Sequence, residues 1–295
     1  MEHKSRAYKI FHFPITKIII SIVVLTSLVL IVQKASQIIL KSVELGTDIK
    51  SLIEGILISV VALAIYIYLF KFYEKRKIEE LSLAHFWLNA VYGFFTGFII
   101  LSVTIWVMYI YKAYTIVAIN PISFLLPALA MAISSAIFEE LLFRGIIFRI
   151  IEGKLGSIWA LLISSSVFGI AHLANENSSL FSAIAITVEA GILLGAAYIY
   201  SKNLWLPIFI HFAWNFSEGG IYGAIVSGNG LSKRLITCKI SGPDLLTGGS
   251  FGPENSLQAL ILGLVTGLLF LWIAKKQQKI VQPYWKREQV LKSEY

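Results

Sequence analysis

Long apolar runs separated by short polar segments dominate the chain. An α-helix needs about 20 apolar residues to cross a hydrocarbon core of about 30 Å. The pattern therefore predicts eight spanning helices, at about residues 15–32, 52–72, 87–111, 121–147, 156–174, 181–200, 205–223 and 257–274. The predicted fold class is all-α, a polytopic membrane helical bundle of about eight transmembrane helices. Residues 1–295 are expected to form a single integral membrane domain.

The composition agrees with this prediction. Hydrophobic residues make up 57% of the chain and charged residues 14%, whereas soluble domains carry about 25% charged residues. A net charge of +8 would suggest nucleic acid in a soluble chain. In a membrane protein it is explained by basic loops on the cytoplasmic side, so no nucleic-acid partner is predicted. The single cysteine, Cys238, cannot form an intramolecular disulfide or a cysteine-based zinc cluster.

The distribution of basic residues predicts an orientation. With eight spans and a cytoplasmic N-terminus, 17 of the 25 Lys and Arg fall on the cytoplasmic side and seven on the other, with Arg144 inside a span. Cytoplasmic loops carry the excess of positive charge, so both termini are expected in the cytoplasm. The basic residues nearest the two ends are Lys4, Arg6, Lys9 and Lys292.

Two adjacent glutamates and an arginine interrupt the fourth predicted span. Charges at membrane depth cost about 2.5–3.5 kcal/mol each and are rare without a partner. Glu140 and Arg144 are four residues apart, so they lie on one helix face and can form a pair. Glu139 points about 100° away and has no such partner. Either the three residues are a structural ion-pair cluster, or Glu139 is a general base.

Two histidines follow in equally apolar company. Phe168 lies one turn before His172 and can pack on its ring, and Asn215 lies one turn after His211, where its amide can fix the tautomer or bind an oxyanion. A single histidine on an apolar helix is more often a core residue than a ligand. Two imidazoles, a carboxylate and a water, however, suit a catalytic Zn²⁺. No His-Glu-x-x-His run exists that would put the site on one helix.

Other features of the sequence leave alternatives open. Glu189, in the sixth span, is either a further ligand or histidine partner, or a residue beside the close-packing pair Gly191 and Gly195. The glycine-rich segment 217–256 is either a solvated linker or a lid.

The three motifs in this order resemble the CPBP family of intramembrane proteases. That family includes the eukaryotic CAAX prenyl endopeptidases and the bacterial Abi or bacteriocin-processing proteins. The motif-bearing core covers about residues 121–223, and the segment 241–254 also resembles the late loop of prokaryotic members. The residues that carry the resemblance are Glu139, Glu140, Arg144, Phe168, His172, His211 and Asn215.

The resemblance implies an integral, multi-pass endopeptidase of a prokaryotic cell membrane, acting on a peptide or protein substrate within the lipid bilayer. It implies that Glu139 activates water, with Glu140 and Arg144 in support. His172 and His211 would position the water or a Zn²⁺ ion, and Asn215 would stabilise the oxyanion. A proton-coupled transporter with a Glu–His relay, and a catalytically silent immunity or scaffold protein, are the alternatives.

The chemistry requires the three motifs to converge. Glu139, His172 and His211 are therefore expected to surround one cavity that can hold a water or a metal. By rise per residue, His172 falls toward the far side of the membrane from Glu139 and His211. Convergence therefore requires helices that are tilted and short, or a fifth span that begins deeper.

Overall fold

The structure, a computed structural model, describes residues 10–287 and is an all-α bundle, as predicted. Within that part of the chain six helices are long and apolar enough to cross a membrane, which makes the chain an integral membrane protein. They are Pro14–Lys41, Thr47–Tyr73, Phe86–Ile110, Ile122–Ala174, Leu180–Ser201 and Leu257–Lys276. The basic residues Lys4, Arg6, Lys9 and Lys292, used above for the orientation, lie outside the described residues.

Ten α-helices and two strands have their bounds within residues 10–287. The helices are α1 Pro14–Lys41, α2 Thr47–Tyr73, α3 Phe86–Ile110, α4 Leu125–Glu140, α5 Arg149–Ala171, α6 Leu180–Ile186, α7 Leu193–Ser201, α8 Trp205–Asn215, α9 Asp244–Thr247 and α10 Leu257–Lys276. Three π-helical turns continue α4, α6 and α8, at Leu141–Phe148, Thr187–Ile192 and Phe216–Ile221. Strands β1 Tyr114–Ile119 and β2 Ile236–Ile240 pair antiparallel.

The predicted count of eight spans is not confirmed, for two local reasons. The segment Ile122–Ala174, counted as one helix of 53 residues, contains almost all of the fourth and fifth predicted spans, and only the break at Gly156 separates its two helical parts. The seventh predicted span is the 11-residue α8 followed by a 6-residue π-helical turn, shorter than the roughly 20 residues of a full crossing.

The backbone breaks at Gly156 inside the longest helix. Its φ of 81° and ψ of 171° are not helical, and a φ of this sign favours glycine. The C-terminal segment docks on this break, where the Ser157 N–H donates to the Val281 carbonyl at 2.9 Å and the Val281 N–H donates to Ser157 Oγ at 2.9 Å. The helix that follows, ending at Ala171, is therefore only about 22 Å long, shorter than a hydrocarbon core.

Glycines on α3 let α8 approach closely. A Cβ added at Gly93 would lie 2.7 Å from the Leu206 carbonyl oxygen, and one added at Gly97 would overlap the Ile210 carbonyl. Small residues of this kind drive helix association in lipid, where the hydrophobic effect gives no preference for one helix over another. This contact sets the position of His211, which follows Ile210 on α8.

The segment 217–256 is folded, which argues against a solvated linker. It contains β2, α9 and the 3₁₀ turn Pro253–Asn255, and the side chains of Phe251 and Glu254 are buried, each 2% exposed.

A charged network ties the ends of three helices together away from these motifs. Glu74, directly after α2, pairs with Lys17 of α1 at 3.1 Å and Arg149 of α5 at 2.8 Å. Burial opposes ionisation of Glu74, but the two cations outweigh it and hold its pKa below the usual value.

We expect Gly97→Ala to lower the thermal stability of the purified protein, since overpacking costs about 1–3 kcal/mol. Gly153→Ala is the matched control, because no atom lies within 4 Å of a Cβ built there. Thermal unfolding in detergent measures both. Equal melting temperatures for the two variants would contradict the close approach of α3 and α8.

Candidate active site

The centre of the site is a fully buried ion pair. Glu140 ends α4 and Arg144 lies in the π-helical turn that follows. Arg144 Nη1 donates to Glu140 Oε1 at 2.7 Å, and both side chains are 0% exposed. Arg144 Nη2 donates to the Gly191 carbonyl at 3.1 Å, and the guanidinium lies 4.7 Å from the Phe168 ring centroid. π-Helical turns are frequent at functional sites.

Glu140 also holds His211 of α8. His211 Nδ1 lies 3.0 Å from the same Oε1 that accepts from Arg144. A hydrogen on Nδ1 satisfies this contact and leaves Nε2 as the acceptor, an assignment made from the hydrogen-bond partner. His211 Nε2 is 3.9 Å from Glu139 Oε2, a distance that a bridging water fits better than a direct hydrogen bond.

Of the two adjacent glutamates, Glu139 is the one whose carboxylate has no direct ion-pair partner in the described part of the chain. Its side chain is 26% exposed, yet Oε2 is buried and has no hydrogen-bond partner within the described residues. Because Arg144 and His211 Nδ1 both serve Glu140, neither neutralises Glu139 directly.

His172 begins a short 3₁₀ turn directly after α5. Its Nδ1 lies 2.8 Å from the Phe168 carbonyl oxygen, which fixes a hydrogen on Nδ1 and leaves Nε2 as an acceptor. The Phe168 ring packs 4.5 Å from the His172 ring and 6.2 Å from the His211 ring, measured between centroids. Phe168 is therefore the spacer between the two imidazoles.

Both histidines line one cavity, together with Asn215. The cavity has a volume of about 20 Å³, which is enough for one ordered water. Glu139 does not line this cavity but approaches the His211 ring at Nε2. The short helix after Gly156 explains why His172 lies near His211, rather than at the far side of the membrane.

The structure brings the six predicted site residues into one region but pairs them in part differently. Asn215 Nδ2 donates to Ser135 Oγ at 3.2 Å and does not fix the tautomer of His211, a role that Glu140 takes. Sequence spacing misses this pairing because Glu140 and His211 are 71 positions apart.

Sequence reasoning also missed two buried acids near the cavity, Glu218 and Glu254, and left Glu189 open. The signal available for all three is an isolated glutamate among apolar or glycine-rich neighbours. They are buried to 0%, 2% and 1% exposure respectively.

Comparison with known proteins supports the resemblance that the motifs indicate. Residues 121–217 match the family model described as type II CAAX prenyl endopeptidase Rce1-like. A Bacillus subtilis (strain 168) protein named "Putative membrane peptidase YdiL" is 36% identical over 84 residues, which are 28% of this chain and 32% of that protein. The chain thus matches about a third of the length of this curated relative. No solved structure matches the chain significantly.

The matched region contains all three motifs, from Glu139 to Asn215. The part of the chain that carries the motifs, residues 121–217, is therefore similar to a type II CAAX prenyl endopeptidase Rce1-like domain.

We expect Arg144→Ala to destabilise the protein more than Glu139→Gln. Removing one partner of a buried ion pair costs about 3–5 kcal/mol, because it leaves the other charge buried alone. Glu139 has no direct partner to lose, and the amide keeps its shape. Melting temperatures and yields in detergent compare the two variants. The opposite order would mean that Glu139, not Glu140, has the structural role.

Proposed function

We propose that this protein is an intramembrane endopeptidase that hydrolyses a peptide bond of a membrane-associated protein or peptide. The observation that carries the proposal is the free Glu139 carboxylate, 3.9 Å from His211 Nε2. The same His211 lines a cavity together with His172. The family match over residues 121–217 supports the reaction class.

The proposed reaction begins with a water between Glu139 and His211 Nε2. Glu139 removes a proton from this water as its oxygen attacks the scissile carbonyl carbon. The carbonyl oxygen becomes an oxyanion, which Asn215 stabilises with the Nδ2 hydrogen that it does not donate to Ser135. The tetrahedral intermediate collapses, the C–N bond breaks, and the proton on Glu139 goes to the leaving amine. Glu139 ends as the carboxylate with which it began.

Glu140 and Arg144 position these groups without contacting substrate. Glu140 fixes the His211 ring and its tautomer, and Arg144 neutralises Glu140. Without Arg144, the His211 ring would have to be charged to neutralise Glu140. A charged ring carries a hydrogen on Nε2, which could then no longer accept a hydrogen bond on the side of Glu139.

The zinc ion predicted from the sequence would be held by His172 and His211. Within the described residues, no group of three or more His, Cys, Asp or Glu side chains is arranged to hold a metal ion. The donor set in this arrangement does not fit zinc, so the reaction above contains no metal step. Metal analysis of the purified protein tests the ion directly: about one zinc per chain, lost in His211→Ala, would establish it.

For the cellular setting we propose a prokaryotic membrane with both termini in the cytoplasm. The excess of Lys and Arg in the predicted cytoplasmic loops supports this orientation. A bacterial peptide precursor or a membrane-anchored regulator agrees better with the glycine-rich late segment than a prenylated CAAX protein does.

We expect Glu139→Gln to keep the fold and to lower the rate of peptide cleavage about 10²- to 10⁴-fold, because an amide cannot accept the proton. Cleavage of a peptide library by purified protein in proteoliposomes, read by mass spectrometry, measures this. Glu44→Gln, at an exposed position, is the matched control. Cleavage by Glu139→Gln at the wild-type rate would contradict the assignment.

A further inference from the structure

The cavity that the two histidines share is too narrow for a peptide. His172, His211 and Asn215 all line it, so a scissile bond that contacts these side chains must lie in it. Its volume of about 20 Å³ holds one water, whereas cavities that bind small organic ligands measure about 300–1,000 Å³. A part of the cavity wall therefore has to move before a peptide enters.

One residue of the wall differs from the others in its secondary structure. Ser227 belongs to a tight turn, residues 226–229, whereas the other lining residues belong to α-helices or to π- and 3₁₀-helical turns. The N–H groups of Val226 and Asn229 each donate to the carbonyl of the other, at 2.9 and 2.8 Å. The central residues Ser227 and Gly228 have positive φ angles of 47° and 82°, as a type I′ hairpin turn requires. This Ser227 turn is a small unit that can move without unwinding a helix.

Polar contacts at its tip hold the Ser227 turn in place. Asn175 Nδ2 donates to the Ser227 carbonyl at 3.0 Å, and Asn177 Nδ2 donates to the Gly228 carbonyl at 3.3 Å. The Gly228 N–H donates to the Phe251 carbonyl at 2.7 Å. These neutral hydrogen bonds form a latch, and water can replace each of them when the turn moves outward.

The outer side of the Ser227 turn faces solvent and open space. Asn229, at its end, and the following Gly230 are exposed. Two of the latch residues, Asn177 and Phe251, also line a separate cavity of about 370 Å³. Outward movement of the Ser227 turn would therefore open the narrow cavity toward solvent and toward this larger cavity.

We propose that the Ser227 turn is a gate, latched by Asn175 and Asn177, that admits a peptide substrate to the cavity of the two histidines only when open. This inference rests on the proposed function, since it states how a substrate reaches the proposed site. The contact of Ser227 with the Glu254 carboxylate lies on the cavity side and separates when the gate opens. If only the open form binds substrate, the apparent affinity is reduced by the open fraction.

Latch variants test the gate by a gain of activity. Asn175→Ala and Asn177→Ala each remove one neutral hydrogen bond from the closed form, which changes an equilibrium about 2- to 10-fold. We expect each variant to raise kcat/KM for a cleaved peptide by about that factor in proteoliposomes. Ser178→Ala is the matched control, because it removes a hydrogen bond to the Leu173 carbonyl in the same loop and leaves the latch intact. A merely structural role of the two asparagines would lower kcat/KM instead.

Chemical modification of His211 measures opening without cleavage. Diethyl pyrocarbonate acylates an unprotonated imidazole nitrogen, and His211 is only 8% exposed. Mass spectrometry follows this modification in the purified protein, with the exposed His85 as internal reference. We expect Asn175→Ala and Asn177→Ala to accelerate modification of His211 about 2- to 10-fold, while His85 reacts at an unchanged rate. Unchanged melting temperatures show that local opening, not global unfolding, exposes His211.

A reversible cross-link holds the gate closed. Asn175→Cys and Ser227→Cys place two thiols at the latch, in a chain whose native cysteine is removed by Cys238→Ser. A bifunctional methanethiosulfonate joins the two thiols, and dithiothreitol releases them. We expect cross-linking to stop peptide cleavage and to slow modification of His211, and reduction to restore both. Methyl methanethiosulfonate, which caps both thiols without joining them, is the control. Full cleavage by the cross-linked protein would contradict the gate.

The outcomes separate the two proposals. Modification of His211 at the wild-type rate in both latch variants overturns the gate, whatever the cleavage rates are, and leaves the endopeptidase standing. Faster modification in the latch variants, with no cleavage of any peptide by the wild type, supports the gate and contradicts the proposed reaction. If one latch variant does not fold, the other variant and the cross-link decide.

Discussion

The arrangement of the site depends on the compensation of one buried charge, that of Glu140. A carboxylate with 0% exposure persists in an apolar bundle only when cations and N–H groups replace its water. Arg144 and His211 both contact Oε1 of Glu140, and Arg144 also donates a hydrogen bond to the Gly191 carbonyl. The need to neutralise this one carboxylate therefore fixes how α4, α8 and the π-helical turn between α6 and α7 are placed relative to one another.

Apolar packing alone does not give such a defined arrangement. Lipid tails are as apolar as leucine, so helices in a membrane gain little from burying leucine against leucine. Close approach at small residues and directed polar contacts decide which faces meet. Here Gly93 and Gly97 admit α8 against α3, and the Glu140–His211 contact selects the rotation of α8. Both contacts act on α8, which carries His211. The orientation of the His211 ring must satisfy the distance and angle limits of a hydrogen bond.

The features predictable from the sequence are those that depend on neighbours along one helix. Thr47–Tyr73 encloses the predicted span 52–72, and the Glu140–Arg144 and Phe168–His172 contacts follow from a spacing of four. Sequence periodicity does not show how segments far apart in the chain pack against one another. It therefore could not predict the Glu140–His211 contact or the position of Glu254 in the cavity wall. The count of eight crossings is not confirmed, because hydropathy does not show that the seventh predicted span consists of an 11-residue helix and a 6-residue π-helical turn.

Two groups of carboxylates lie beside the two histidines. They differ in how much positive charge the chain places next to them. Arg144 neutralises the charge of Glu140 at Oε1, although Oε2 of Glu140 is buried without a hydrogen-bond partner in the described residues. This pairing leaves the neighbouring Glu139 without a direct counter-charge. Neither Glu189 nor Glu254 has a Lys or Arg nitrogen within 4 Å in the described part of the chain, although Arg144 contacts the backbone only two residues beyond Glu189. Arg144 is thus directed away from them by its pairing with Glu140. A single cation placed on the structural carboxylate leaves Glu139 free to act on a water, and a second internal cation beside Glu139 would remove that property.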